Sequence, residues 1–320
     1  MHVAAPMSAA PTATELAISQ SMLRNSGVFL RKAAEEIAGH DDARDRPFDE
    51  DRATLVMVLI QTAVELASAA LLIEHKGLAA VMTRNVPGTE AEMRRRWEEG
   101  SIKTISFEQF KTGASAFFGD EDFWNLIDTF QVTRNKLVHF HQPLDEATLY
   151  DLKYEATYVL IQLITALARA DEYTLPEGSR SFLGKPLFDR LMAFEPYRYR
   201  VEERARKADR HVIACMICDL VTYSPDAELC FGCGFDGEIQ FLHCPWCKER
   251  ALYYDHLNLP DNPALKARCG KCGGDALAAH CQICEVDYVV ESGKSVACPW
   301  SDVHEDIGAS KVRRGSKDRT

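Results

Sequence analysis

The chain has 320 residues, a length that favours two domains because one hydrophobic core rarely grows past about 250 residues. Its hydrophobic content of 46% and charged content of 27% are ordinary for a globular protein. The net charge of −11 is uneven: residues 211–310 carry six Lys and Arg against 15 Asp and Glu, whereas residues 311–320 carry five against one. Nucleic-acid-binding modules neutralise phosphates with cations, so this balance argues against residues 211–310 as a main nucleic-acid binder.

Residues 1–14 are rich in Ala and Pro and lack the basic segment of a secretory signal. We expect them to form a disordered leader, and we expect the protein to be cytoplasmic. The most apolar stretch, 55–73, is interrupted by Gln61, Thr62, Glu65 and Ser68. A membrane-spanning helix needs about 20 apolar residues with few or no charges. The pattern therefore favours a buried helix, and no membrane association is expected.

Six helices are predicted between residues 14 and 170, from apolar residues at helical spacing. Thr14 and Asp145 are the expected N-caps of the first and the last. Because no convincing strand is found, the predicted fold class for residues 15–170 is an all-α helical bundle. Residues 171–210 are predicted to be a linker with short helices at 187–194 and 199–210. The six predicted helices are 14–38, 51–75, 87–99, 106–118, 120–141 and 145–170.

All 11 cysteines lie after residue 214, and ten of them form C-x-x-C pairs. In a reducing compartment paired cysteines bind metal more often than they form disulfides. A C-x-x-C turn places two thiolates on one side of a tight loop, and two such loops complete a tetrahedral zinc site. The pairs are Cys215/Cys218, Cys230/Cys233, Cys244/Cys247, Cys269/Cys272 and Cys281/Cys284, and Cys298 stands alone.

Pairing of neighbours predicts three zinc ions in a small β-rich zinc-ribbon array over residues 211–306, followed by a basic tail, 307–320. The third site lacks a fourth cysteine, and His304 is its nearest candidate ligand. A crossed arrangement, which joins the first and third pairs on one ion, is the alternative. Because protein ligands fill every position, the sites are expected to be structural. The predicted sets are Cys215, Cys218, Cys230 and Cys233; Cys244, Cys247, Cys269 and Cys272; and Cys281, Cys284, Cys298 and His304.

One stretch of the helical region contains residue types that can act in catalysis. It runs from Arg134 to His141 and lies at the end of a predicted helix. At about 100° per residue, Asn135 and His139 share a face, and Arg134 and His141 align two turns apart. The pattern resembles the R-x(4–6)-H motif of the HEPN family, small all-α domains that dimerise and often cleave RNA. Its Arg-Asn-x-x-x-His form is matched by Arg134, Asn135 and His139, and the resemblance covers residues 15–170.

The resemblance implies a metal-independent endoribonuclease whose active site forms where two copies of the motif meet across a homodimer interface. It implies RNA as the substrate and a 2′,3′-cyclic phosphate and a 5′-hydroxyl as products. His139 would exchange the proton, Arg134 would hold the phosphate, and Asn135 would orient His139 or bind the phosphate, with His141 as a second candidate imidazole. A toxin or an antiviral effector is the expected biological class, with the zinc ribbons used for recognition or regulation.

Two alternatives to a ribonuclease come from other classes of protein. In the first, the bundle dimerises without catalysis, and the zinc ribbons bind a protein partner as an adaptor. In the second, the ribbons and the basic residues 311–319 bind nucleic acid. Other enzyme classes find little support, because the chain has no P-loop, no dinucleotide-binding glycine motif after a strand, no H-E-x-x-H and no G-x-S-x-G.

Overall fold

The structure, a computed structural model, describes residues 11–39, 48–83, 88–115, 121–140, 144–169, 177–236, 240–254, 264–290 and 298–301. Most of the predicted leader and all of the basic tail lie outside the described residues. The chain divides into two compact units. One comprises Met1–Val201 with Cys233–Phe235, and the other comprises Glu202–Gly232 with Asp236–Thr320.

Helices dominate the described residues before position 210, as the sequence predicts. Nine α-helices are described there, with a short 3₁₀ helix at Leu78–Val81 between the second and the third. An isolated antiparallel bridge joins Met82 and Thr104. The α-helices are α1 (Ala13–Ala38), α2 (Glu50–Lys76), α3 (Glu90–Glu98), α4 (Phe107–Ala114), α5 (Glu121–Phe140), α6 (Glu146–Arg169), α7 (Ser179–Leu183), α8 (Lys185–Met192) and α9 (Glu195–Ala208).

The N-caps show why the helices begin where they do. At α1 the cap is Thr12, not the expected Thr14: Thr12 accepts from the backbone N–H of Glu15, whose carboxylate accepts from the N–H of Thr12 in return. Thr14 instead donates its hydroxyl to Glu90 at 2.6 Å. At α6 Asp145 accepts from the N–H of Thr148 at 2.7 Å, the expected geometry of an N-cap.

The core of the helical unit is the packing of α1 against α2. Small residues line this contact and allow the two backbones to approach. Ser26 donates its hydroxyl to the carbonyl of Ala63 at 2.8 Å, and Ser19 donates to the carbonyl of Ala70 at 3.2 Å. Helix α2 is long and apolar enough to cross a membrane, but 72% of its most apolar stretch is buried inside the protein. That burial is expected of a central bundle helix.

The predicted linker folds into three helices, α7 to α9, two of which differ from the predicted ones. The 199–210 helix begins earlier, at Glu195, and α7 is absent from the prediction. Pro186 and Pro196 each occupy the second position of their helix, where a missing N–H leaves no intrahelical bond unmade. Phe188 and Tyr197 are fully buried. These prolines therefore start packed helices rather than punctuate a linker.

The second unit is β-rich, as predicted, and consists of two antiparallel sheets. The three-stranded sheet has β1 (Ile213–Ala214), β2 (Val221–Ser224) and β3 (Leu229–Cys230) in that order. The five-stranded sheet is a meander of β4 (Phe241–His243), β5 (Arg250–Tyr254), β6 (Leu265–Cys269), β7 (Asp275–Cys281) and β8 (Val286–Val290). The sheets are joined by a bond from the N–H of Ala214 to the carbonyl of Gly270 and by the rings of Tyr223 and Phe241, 6.2 Å apart.

The close contact of α1 and α2 predicts that enlarging Ala63, which is fully buried, destabilises the helical unit. Ala63→Leu adds three carbons where the helices meet, and overpacking of this kind costs about 2 kcal/mol. The free energy of unfolding is measured by urea denaturation followed by the helical circular dichroism signal. Ala91→Leu, the same change on the exposed side of α3, is the control and should cost less than about 0.5 kcal/mol. Equal effects of the two changes would contradict this account.

Candidate metal centres and the Arg134 helix

Three groups of cysteines converge, and within each group the sulfur atoms lie within 4.8 Å of one another. The neighbouring pairs come together, so the crossed arrangement is not the one that the structure has. The four cysteines of the first group are buried, whereas Cys272 in the second is exposed. The groups are Cys215, Cys218, Cys230 and Cys233; Cys244, Cys247, Cys269 and Cys272; and Cys281, Cys284 and Cys298.

The sulfur–sulfur distances fit a tetrahedral metal centre. They are 3.7 Å for Cys218–Cys230, 3.7 Å for Cys244–Cys272 and for Cys247–Cys269, and 3.8 Å for Cys284–Cys298. A zinc ion bound to thiolates at about 2.3 Å requires edges of about 3.8 Å. A disulfide would require about 2 Å, and all 11 cysteines are free. The donor sets therefore fit metal ions of tetrahedral preference.

Backbone N–H groups point at the sulfurs and favour their ionised form. Donors lie 3.4 Å from Sγ of Cys215, Cys244 and Cys298, in each case from the residue two positions later. At Cys281 the N–H of Cys284 is the main cause of a pKa lowered to about 7, against the opposing effect of burial. At Cys244 burial raises the pKa, but the N–H groups of Cys247 and Trp246 outweigh it and bring the value to about 7. Since metal binds thiolate, these bonds favour metal uptake.

All five C-x-x-C turns share one backbone feature. The residue after the second cysteine has a positive φ of 57–72° in every pair. In four of the turns the N–H of that residue donates to the carbonyl of the first cysteine at 2.8–3.0 Å. At two of these positions the residue is a glycine, Gly234 or Gly273. The other three residues are Asp219, Lys248 and Glu285.

Non-glycine residues in this conformation cost roughly 1–2 kcal/mol each. The geometry of each turn therefore stabilises this backbone conformation at the three non-glycine residues. Their left-handed conformation could have been predicted from position, because each residue directly follows the second cysteine of a pair, as Gly234 and Gly273 do.

The predicted fourth ligand of the third group is His304. His304 lies outside the described residues. Two of the other histidines near the pairs contact other groups through Nδ1: that of His280 lies 2.7 Å from Asp287, and that of His243 lies 3.1 Å from the carbonyl of Lys248. In the described part of the chain, the three metal-compatible groups contain only cysteines.

In the helical unit, Arg134 and Asn135 lie on α5, and His139 lies on the last turn of the same helix. The side chain of His139 and the whole of His141 lie outside what the structure describes. Arg134 is half-buried, and its Nη1 donates to Oδ1 of Asn135 at 3.5 Å. The Asn135 amide thus contacts Arg134. Its predicted contact with His139 falls outside the described side chains.

The surroundings of Arg134 distinguish it from an ordinary surface arginine. Its Nε is buried and has no hydrogen-bond partner among the described residues. Glu65 on α2 lies close enough to feel its charge: burial raises the pKa of Glu65, while the hydrogen bond from Gln61, at 3.2 Å, and the positive charge of Arg134 oppose that rise. The buried Nε cannot reach an anion, but the Nη atoms of a guanidinium can bind one through two parallel bonds.

No family model, curated protein or solved structure matches this chain.

The space around each turn glycine predicts that a methyl group is tolerated at Gly273 and not at Gly234, although the two have similar φ. Gly273→Ala meets open space at φ +72° and should cost about 1 kcal/mol of unfolding free energy. Gly234→Ala has φ +69°, but its Cβ would lie 1.8 Å from Oγ1 of Thr165, so it should cost at least about 3 kcal/mol. Both losses of unfolding free energy are to be measured by urea denaturation of the metal-loaded protein. Similar losses at the two positions would show that backbone strain alone is responsible.

Proposed function

We propose that the protein is a metal-independent endoribonuclease of HEPN type that acts as a cytoplasmic homodimer. The observation that carries the proposal is the half-buried Arg134, which lies near Glu65 of α2 and shares a helix with His139. The all-α unit around it also supports the proposal. In a homodimer of this type two Arg134 side chains and two His139 side chains would flank one scissile phosphate. A toxin or an antiviral effector is the biological class proposed with it.

The chemistry needs no metal because RNA carries its own nucleophile. The ribose 2′-OH attacks the adjacent phosphorus, the bond to the 5′-oxygen breaks, and a 2′,3′-cyclic phosphate forms. Imidazole groups in general titrate near neutral pH, so the imidazole of His139 can take the 2′-OH proton while a second imidazole protonates the leaving oxygen. Arg134 stabilises the charge that builds on the phosphate. Asn135, which contacts Arg134 at 3.5 Å, would orient His139 or bind the phosphate.

The test of this proposal is cleavage of single-stranded RNA in a chelating buffer, with retention of tightly bound metal verified separately. The wild-type dimer should cleave and leave 2′,3′-cyclic phosphate ends. Arg134→Ala and His139→Ala should each lose at least about 100-fold in rate, as loss of one acid–base or charge-stabilising group does. Arg134→Lys should recover only part of the loss, because an ammonium cannot bind phosphate through two parallel bonds.

The matched control is Arg206→Ala. Arg206 and His211 have the same R-x-x-x-x-H spacing, but Arg206 is an exposed residue on α9 paired with Glu202 at 3.1 Å. Its loss should leave the rate unchanged. Equal cleavage by the wild type, Arg134→Ala and His139→Ala would rule the proposal out.

We further propose that the three cysteine groups hold structural zinc. Four thiolates close the first two sites against substrate, since a catalytic zinc keeps one position open. His304 is proposed as the fourth ligand of the third site. The metal would then stabilise small sheets that bury little apolar surface, and the β-rich unit would serve recognition or regulation of the helical unit.

Elemental analysis of the purified protein should find about three zinc ions per chain. Cys298→Ser should lower that content by about one ion, whereas Ser301→Ala, three residues later and exposed, should leave it unchanged. A strong chelator should abolish the β-sheet signal while most of the helical signal persists, because folding of such modules depends on bound metal. Protein that folds normally without metal would contradict the assignment.

A further inference from the structure

An open cleft of about 1260 Å³ lies within the β-rich unit and is separate from the cysteine sulfurs. Its walls come from the three-stranded sheet with the residues before it and from the five-stranded sheet. Small-molecule pockets are typically about 300–1,000 Å³ and largely enclosed. The size and openness of this cleft fit an extended peptide segment better than a metabolite.

Aromatic side chains line part of the cleft: Phe241 is partly exposed, whereas Tyr223 and Tyr254 are buried behind it. Tyr223 and Phe241 bring their rings within 6.2 Å of each other across the two sheets. The buried Tyr254 donates its hydroxyl to Oδ2 of Asp287 at 2.6 Å, and the other oxygen of Asp287 lies 2.7 Å from Nδ1 of His280. This network fixes the end of the cleft. Aromatic rings with a fixed polar group are the surface on which the stems of Lys and Arg side chains pack.

The net negative charge of the cleft favours a positively charged ligand. Five carboxylates line it against three permanent cations, and one of those cations, Lys271, is paired with Glu249 at 2.7 Å. Asp226 and Glu228 stand on the exposed turn between β2 and β3, and neither forms an ion pair with a described residue. The whole span 211–310 has a net charge of −9. Phosphates would be repelled here, whereas a cationic peptide would be attracted.

We propose that this cleft docks a Lys- and Arg-rich peptide segment of a partner protein. The stem of a basic residue lies against the partly exposed Phe241, and its charged end faces Asp226 and Glu228. The interaction gives the β-rich unit a binding role of its own. It does not depend on ribonuclease activity at Arg134, and either proposal can fail without the other.

The test measures fluorescence anisotropy of a labelled 12-residue peptide, half Lys and Arg, with the full-length metal-loaded protein. The peptide should bind at low ionic strength and weaken as salt rises, and an analogue with Gln in place of each cation should bind at least about tenfold more weakly. The double variant Asp226→Asn/Glu228→Gln should weaken binding of the basic peptide about tenfold, because it removes the two carboxylates of the rim.

The control removes the same charge elsewhere on the unit. Asp236→Asn/Asp275→Asn changes two exposed carboxylates outside the cleft and should weaken binding less than about twofold. Equal losses for the two double variants would show that binding depends only on net charge, and this would overturn the proposal. Absence of peptide binding would overturn it as well. A labelled oligoribonucleotide that binds instead, and is lost on Arg210→Gln/Arg250→Gln, would assign the cleft to nucleic acid.

Discussion

The β-rich unit depends on its cysteine groups because its strands are too short to hold two sheets by backbone pairing alone. β1 and β3 have two residues each, and β4 has three. Small sheets of this kind are marginally stable in water unless something crosslinks them. The cysteines stand where the crosslinks are needed: Cys230 is in β3, Cys269 ends β6, and Cys281 ends β7. A metal bound there would tie strand ends together and fix the register of each hairpin.

The same constraint explains why strained turns persist. A left-handed Asp219, Lys248 or Glu285 would relax in an isolated hairpin, but a turn that must present two sulfurs at tetrahedral spacing has little conformational choice. The turn conformation therefore follows from ligand geometry, and the residue type adapts to it. Gly234 is the exception, because a side chain there would collide with Thr165 whatever the turn requires.

The sequence was most informative where one physical rule acts alone. Cysteine spacing predicted the three groups because metal geometry tolerates few alternatives, and Asp145 was predicted as a cap because its side chain bonds locally. The predictions failed where two rules compete. Pro186 and Pro196 look like linker residues, yet a proline in the first turn also starts a helix, and burial of Phe188 and Tyr197 decided the outcome. The half-buried state of Arg134 follows from packing of α2 against α5, which no local pattern encodes.

The two proposed sites make opposite electrostatic demands, and this bears on how one chain could support both. Arg134 must attract phosphate, whereas the cleft beside Asp226 and Glu228 must repel it. At physiological ionic strength charges are screened within about 8 Å, so each site responds mainly to its own neighbours. At low ionic strength, where screening is weak, the net charge of −9 on residues 211–310 would lower the affinity of the whole protein for RNA. A cationic partner in the cleft would neutralise part of that charge, and partner binding would then favour RNA binding without any change in the shape of the helical unit.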